Sequence, residues 1–182
     1  FNRDSAKKAM EKNGPAKIIT ATNVFAHIED VHEVIESLLT LLGDDGIFIS
    51  ESHYLLPLVQ TIQYDTIYHE HLRYYSLTSL KNLLEMHGLE IIHAKRIPTH
   101  GGSIRVYAAR KGKYPPRDSV KAILEEEKRE LSPKALAEFR QRVVNSKLGL
   151  HALLRDLKKG GARIYGVGAP SLNVFVSLSE RN

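Results

Sequence analysis

Two short β-branched segments separated by one amphipathic helix constrain the fold of this chain more than any other feature. Residues 16–23 (AKIITATN) follow an Asn-Gly-Pro turn signal and predict a buried strand. Asp30 then begins a helix whose apolar residues repeat at helical spacing, and Gly43 ends it. Residues 46–50 (GIFIS) predict a second buried strand after a turn at two aspartates. Strand, helix and strand in this order indicate a βαβ unit with a parallel sheet.

The next segments extend this unit. Leucines at helical spacing predict a helix over residues 77–86, with Gly88 as its C-cap. Residues 89–97 are then typical of a strand. After a His-Gly-Gly turn, residues 103–110 (SIRVYAAR) predict a strand that returns antiparallel. The predicted α/β module therefore closes near residue 111.

The remainder of the chain has a different character. Residues 112–160 begin with a Pro-rich linker and continue as charged helices, in which the run Glu125 to Glu130 is expected to form a solvated helix face. From Ala162 a short strand is expected to run into the glycine turn GVGAP. Residues 161–182 therefore predict the start of a second, truncated Rossmann-like unit.

Composition excludes several classes of protein. The chain has no Cys, which excludes disulfides, a thiolate nucleophile and a Cys-ligated zinc site. Its net charge of +5 is spread along the chain and interleaved with acidic residues, so we expect attraction to a phosphate-bearing small molecule and no nucleic-acid partner. No apolar run approaches the length of about 20 residues that a transmembrane helix needs, and residues 1–5 (FNRDS) do not show the basic-then-apolar order of a signal peptide. We therefore expect a cytoplasmic protein with no membrane partner.

Candidate chemistry lies where the predicted strands end. In open parallel sheets the ligand binds outside the carboxyl ends of the strands. Three loops with histidines leave these ends, over residues 23–27, 51–54 and 100–102, and should share one edge of the sheet. A fourth segment, residues 63–75, is dense in Tyr and acid–base residues.

The cluster Tyr68-His69-Glu70-His71 in that fourth segment suits proton abstraction. A neutral imidazole can accept a proton near pH 7, a carboxylate can orient it, and a Tyr hydroxyl can stabilise a developing oxyanion. Two other interpretations remain open: ordinary packed or surface side chains, and a metal site in which His69 and His71 face the same way on an extended segment. No HExxH pattern is present, and no metal ligand is assigned. The pair Gly166 and Gly168 gives only a weak phosphate-turn signal.

Three blocks together resemble a known family. They are NVFAHI at residues 23–28, DTIYHEHL at residues 65–72 and HGGSIR at residues 100–105. In this order they are similar to the S-adenosylmethionine-dependent C-methyltransferases of nucleotide-linked deoxysugars. The resemblance implies an α/β class I methyltransferase (Rossmann-like) core, of which residues 1–111 would be the C-terminal part. It also implies a dTDP-linked 4-keto-6-deoxysugar as substrate, methylated at C-3 through an enolate.

The resemblance also implies roles for individual residues. His71 is similar to the family's general base, with Glu70 and Tyr68 beside it and His27 facing the sugar. The other assigned positions are Asn23 and Val24 for the cofactor, and His100, Gly101, Gly102, Arg105 and Gly168 for the substrate.

The chain departs from the family pattern at both ends. The glycine-rich cofactor loop and the acidic residue that holds the cofactor ribose would precede Phe1, so we expect weak binding of S-adenosylmethionine. The family's zinc-binding N-terminal region is likewise expected outside this chain. Residues 172–175 (LNVF) replace the basic residue, small residue and Thr that the family pattern predicts there, which indicates an abnormal tail.

Two other functions compete with the methyltransferase hypothesis. A non-catalytic nucleotide-sugar-binding module would use the same loops without a methyl donor. A metal-dependent hydrolase would use His69, Glu70 and His71.

Overall fold

The computed structural model describes residues 1–165. Its strands, which form a single sheet in the order β1-β2-β4-β3, are β1 (Ala16–Thr22), β2 (Leu42–His53), β3 (Leu89–Ile97) and β4 (Ser103–Arg110). β1 and β2 are parallel, whereas β4 lies antiparallel between β2 and β3. β1, β2 and β3 therefore run in the same direction, and their carboxyl ends share one edge of the sheet.

Six α-helices accompany the sheet within the described residues. They are α1 (Arg3–Asn13), α2 (Val31–Leu41), α3 (Leu55–Thr61), α4 (Leu77–Glu85), α5 (Asp118–Glu130) and α6 (Pro133–Lys159). The predicted start of α2 is confirmed, because the Asp30 carboxylate accepts a hydrogen bond of 2.9 Å from the Glu33 N–H. The strands β3 and β4 also have the predicted bounds.

The sequence analysis did not predict α1. Its residues are mostly polar and bury only Ala6, so the periodicity signal is weak. The helix begins with a capping box, in which the Asn2 side chain and backbone pair with Ser5. α1 packs against α2 and ends at Gly14.

Two predicted boundaries were wrong. Residues 42–45, expected to end a helix and form a turn, belong to β2: Ala16 pairs with Leu42 while Ile18 pairs with Ile47, so β2 bulges between these pairs. Gly88 is not the C-cap of α4, which ends at Glu85 with Met86 as its cap. The chain continues in tight turns as far as Gly88, whose φ of 73° then directs it into β3.

The hydrophobic core lies between the sheet and α2, α4 and α5. Its largest fully buried side chains include Phe25, Phe48, Tyr54, Leu56, Leu77 and Leu84. Val120 and Ile123 of α5 are part of the same core. α5 thus packs on the sheet although it follows the expected module boundary at residue 111.

Glu127 corrects the prediction of a solvated face over residues 125–130. Its side chain is 2% exposed and accepts hydrogen bonds from the N–H groups of Leu77 and Thr78 and from the Thr78 hydroxyl. These groups begin α4, where unpaired N–H groups and the helix dipole favour a negative charge. The carboxylate is buried because α5 packs across this helix end.

The last described elements are more exposed. No residue of α6 is buried, although Arg142 donates a hydrogen bond of 3.0 Å to the carbonyl of Gln60 in α3. Residues 162–165 do not form the predicted strand, since no described strand lies beside them to pair with. Gly168 and the rest of the expected second unit lie outside the described residues. None of the helices up to residue 165 combines the length and apolar character needed to cross a membrane.

Candidate functional site

A cavity of ≈ 430 Å³ opens at the carboxyl edge of the sheet. Its lining residues are Asn23, Ala26, His27, Ser52, His53, Thr66, Tyr68, His71 and His100. Two histidine-bearing loops, the end of β2 with its His53 and the Tyr68–His71 segment therefore meet at one place, as the strand order requires. We call this space the imidazole cavity.

His71 has a defined protonation pattern. Its Nδ1 lies 3.1 Å from the carbonyl oxygen of Thr66, which can only accept, so Nδ1 carries the proton. The lone pair of the neutral ring is therefore on Nε2, 3.3 Å from the Tyr68 hydroxyl. Burial lowers the pKa of His71 below its usual value, and the nearby His27 and His53 lower it further. The lowered pKa favours the neutral imidazole of His71 near pH 7.

A tight turn separates His69 from His71. The N–H of His71 donates to the carbonyl of Tyr68, which reverses the chain, and the His69 side chain is 80% exposed. The two imidazoles therefore do not share a face, as an extended segment would require. Within residues 1–165, no group of three or more His, Asp or Glu side chains is arranged to hold a metal ion.

Glu70 contributes its backbone to the cavity. Its carbonyl accepts a hydrogen bond of 2.8 Å from Nδ1 of His27, whose ring centre lies 5.0 Å from that of His71. The Glu70 carboxylate is mostly exposed, and its Oε1 lies 4.0 Å from Nε2 of His69. A carbonyl, that of Thr66, orients His71 in place of the carboxylate that the sequence suggested.

Asn23 and His100 join the ends of β1 and β3. Both have left-handed backbone, with φ of 54° and 52°, which costs a non-glycine residue free energy and is frequent at functional sites. The Asn23 N–H donates to the carbonyl of Glu51 at 2.8 Å. The Asn23 side-chain amide lies 3.4 Å from Nε2 of His100, so both side chains border the imidazole cavity.

Val24 borders a second, mostly apolar cavity of ≈ 580 Å³. This cavity is lined by Phe1, Ile19, Thr20, Ala21, Val24, Phe25, Ile28, Val34, Leu38 and Phe48. Asn23 borders the imidazole cavity, and Val24, the next residue in the chain, borders the apolar cavity. The backbone between them therefore lies beside both cavities.

Arg105 lies away from the imidazole cavity. It is paired with Glu51 across β4 and β2, and its guanidinium contacts the Glu51 carboxylate at 2.6 Å. Glu51 is 5% exposed, so Arg105 neutralises a buried charge.

Gly101 and Gly102 serve packing. Their φ values are 75° and 125°, and a Cβ at Gly102 would lie 2.5 Å from the Pro57 side chain. The Gly102 carbonyl accepts a hydrogen bond from the N–H of Tyr54, next to the end of β2. Of the His100-Gly101-Gly102 turn, only His100 lines the imidazole cavity.

The sequence analysis did not single out four residues of this region. His53 and Ser52 belong to a loop that it placed at the site, yet neither was assigned a role. The Ser52 hydroxyl is buried and has no hydrogen-bond partner among the described residues. Thr66 acts through its carbonyl and Gln63 through a long-range contact, and neither leaves a sequence signal.

Comparison with known proteins agrees with this fold. Residues 1–94 match the family described as "Methyltransferase domain", and residues 98–176 match the "C-methyltransferase C-terminal domain". The chain belongs to the methyltransferase domain family, and the predicted α/β fold class is confirmed. A curated relative is C-methyltransferase NovU of Streptomyces niveus, which is 34% identical over 174 residues. The match covers 94% of this chain, and the chain spans 41% of the length of that relative.

Two solved methyltransferases show weaker similarity. Magnesium protoporphyrin IX methyltransferase of Synechocystis PCC 6803, with bound SAH, has a TM-score of 0.42 at 17% identity, covering 56% of this chain and 48% of that one. The O-methyltransferase NcsB1 from neocarzinostatin biosynthesis has a TM-score of 0.37 at 16% identity, covering 59% and 38%. The family assignment therefore rests on the sequence matches.

Proposed function

We propose that this chain forms the substrate side of an S-adenosylmethionine-dependent C-methyltransferase that acts on a nucleotide-linked 4-keto-deoxysugar. The observation that carries this proposal is the neutral His71, whose Nε2 lone pair lies in a cavity with other hydrogen-bonding side chains. The similarity to NovU supports carbon as the methylated atom. The net charge of +5 favours an anionic substrate such as a dTDP-sugar.

His71 is the proposed general base. Its Nε2 takes the proton from the carbon next to the ketone, the C–H electron pair forms the C=C bond of the enolate, and the C=O π pair moves onto the ketone oxygen. A base needs a pKa that keeps it unprotonated at the working pH, and burial supplies this for His71. Thr66 holds the ring through Nδ1, so that Nε2 remains the acceptor.

The Tyr68 hydroxyl is the proposed donor to the enolate oxygen. It lies 3.3 Å from Nε2 of His71, so base and donor reach adjacent atoms of one ligand. His27, whose Nδ1–H is engaged by the carbonyl of Glu70, has an Nε2 lone pair for a sugar hydroxyl. His100, whose Nε2 lies 3.4 Å from the Asn23 amide, is proposed to bind the substrate from the end of β3.

The apolar cavity beside Val24 would hold the adenine ring of the methyl donor. Its apolar lining suits a flat adenine ring, and Asn23 offers an amide at the boundary between the two cavities. S-adenosylmethionine, when bound, supplies an electrophilic methyl group for the nucleophilic carbon. This chain then contributes by aligning the nucleophilic carbon of the substrate with the methyl group of the donor.

Calorimetric titration tests this proposal. We expect dTDP-4-keto-6-deoxyglucose to bind, and S-adenosylhomocysteine to bind more weakly but measurably. Binding of the dTDP-sugar without S-adenosylhomocysteine would favour the alternative, a non-catalytic nucleotide-sugar-binding module. Absence of dTDP-sugar binding would contradict both functions.

A further inference from the structure

His53 is the fourth imidazole of the cavity, and the proposed chemistry does not use it. It ends β2, is half-buried, and its ring centre lies 6.3 Å from that of His71. Its Nε2 lies 3.0 Å from Oε1 of Gln63. No described residue donates to its Nδ1.

The orientation of the Gln63 amide is fixed by its other contacts. Its nitrogen donates to the carbonyl of Gly101 at 2.8 Å, and a carbonyl can only accept. The same nitrogen donates to the Thr61 hydroxyl, whose own proton goes to the carbonyl of Pro57. Both amide protons are therefore used, and the amide oxygen must face His53.

This orientation defines the tautomer of His53. Because the Gln63 oxygen can only accept, Nε2 of His53 carries the proton. The lone pair of the neutral ring is then on Nδ1. His71 has the opposite pattern, since its proton is on Nδ1 and its lone pair on Nε2.

We propose that His53 contacts the substrate by accepting a hydrogen bond at Nδ1 from a hydroxyl of the bound hexose, and that Gln63 is the residue that positions it. This inference rests on the proposed function and deepens it, because it gives the site a means of selecting sugars. A bound sugar that lacks this hydroxyl leaves the Nδ1 lone pair of His53 buried and unpaired. The affinity of the site for such a sugar is therefore lower.

Gly101 links the His-Gly-Gly turn to this histidine. A Cβ at Gly101 would lie 2.4 Å from Oε1 and 2.8 Å from Cδ of Gln63, so an alanine there displaces the amide from His53. Gly112 is a matched control: its φ of 78° is close to the 75° of Gly101, yet a Cβ there meets nothing within 4 Å. The two Gly→Ala variants carry similar backbone strain, and only one disturbs Gln63.

Imidazole ¹⁵N NMR on the His-labelled chain at pH 7.5 tests the tautomer, with the His53 signals assigned from His53→Gln. We expect a protonated Nε2 and an unprotonated Nδ1 in the wild type and in Gly112→Ala. We expect averaged tautomers in Gly101→Ala and Gln63→Leu, and rescue in Gln63→Glu, which keeps an acceptor. A wild-type His53 with its proton on Nδ1 would overturn the inference, as would a fixed Nε2–H tautomer in Gln63→Leu, the variant that avoids strain at Gly101.

Adding ligand tests the substrate contact. We expect dTDP-4-keto-6-deoxyglucose to move the Nδ1 resonance of His53 upfield, and dTDP alone to leave it unchanged. If the sugar nucleotide moves the His71 or His27 signals but not that of His53, the role of His53 is wrong and the proposed function stands. If it moves none of these signals at saturating concentration, the proposed substrate is wrong, and the contact to His53 falls with it.

Discussion

The Glu127 carboxylate accepts a hydrogen bond of 2.6 Å from the hydroxyl of Thr78, a residue 49 positions earlier in the chain. The same carboxylate accepts from the backbone N–H groups that begin α4. A buried negative charge on a helix start is stabilised by its hydrogen bonds and by the helix dipole. This contact therefore fixes α5 against α4 and the sheet.

Replacing this carboxylate should destabilise the fold. We expect Glu127→Gln to lower the free energy of unfolding by about 1–3 kcal/mol, because an amide offers only one acceptor to groups that are buried. Glu125→Gln is the control, since Glu125 lies on the same helix with a 67% exposed side chain. Urea denaturation of both variants measures the difference, and equal midpoints would contradict the role of Glu127.

Arg105 should matter for stability more than for ligand binding. Arg105→Gln leaves the Glu51 carboxylate buried without its cation, so we expect a loss of about 1–3 kcal/mol in unfolding free energy. Glu51→Gln in the same background should restore part of this loss. Thermal denaturation measures stability, and calorimetry measures dTDP-sugar affinity. A large loss of affinity at unchanged stability would instead support direct substrate binding by Arg105.

Gly102 should not tolerate a side chain. Alanine there must adopt a φ of 125° and meets Pro57 at 2.5 Å, so strain adds to a steric clash. Gly112→Ala carries strain alone, which costs about 1–2 kcal/mol. We expect Gly102→Ala to be less stable than Gly112→Ala by a further ~1–3 kcal/mol from overpacking. Equal melting temperatures would show that Pro57 moves aside freely.

The lowered pKa of His71 predicts a pH dependence of stability. Below about pH 6.5 the unfolded state binds a proton at this residue more readily than the folded state does. The free energy of unfolding should therefore fall as the pH drops from 7.5 to 5.5, and His93, whose burial also lowers its pKa, adds to the same trend. His71→Gln should reduce this slope, whereas the exposed His69→Gln should not. An unchanged slope in His71→Gln would contradict the burial of the neutral ring.

The sequence predicted those elements whose signal is local. β1, α2 and β3 follow from β-branched runs, helical spacing and caps. α1 was not predicted, because one buried alanine gives almost no hydrophobic periodicity. The burial of Glu127 was not predicted, because a run of six charged residues is usually solvated. Only the packing of α5 on α4 buries this carboxylate.

The position of the site could be predicted from the sequence, but its side-chain contacts could not. Strand order brings the histidine loops together, and this could be read from the βαβ pattern. The hydrogen-bond partners of the histidines could not be predicted, because Thr66 and Glu70 act through carbonyl groups, which every residue has. The pairing of Arg105 with Glu51 depends on the register between β2 and β4, which the sequence does not specify.

Solvent exchange of the substrate C–H tests the central claim most directly, because it needs no methyl donor. In D₂O, with dTDP-4-keto-6-deoxyglucose and the wild-type chain, we expect deuterium to enter at C-3, as observed by ¹H NMR. His71→Gln should reduce the exchange rate by about 10²-fold or more, the lower range for loss of a general base. The exposed His69→Gln should exchange at the wild-type rate. Equal exchange in His71→Gln and wild type would contradict the assignment of His71 as the base.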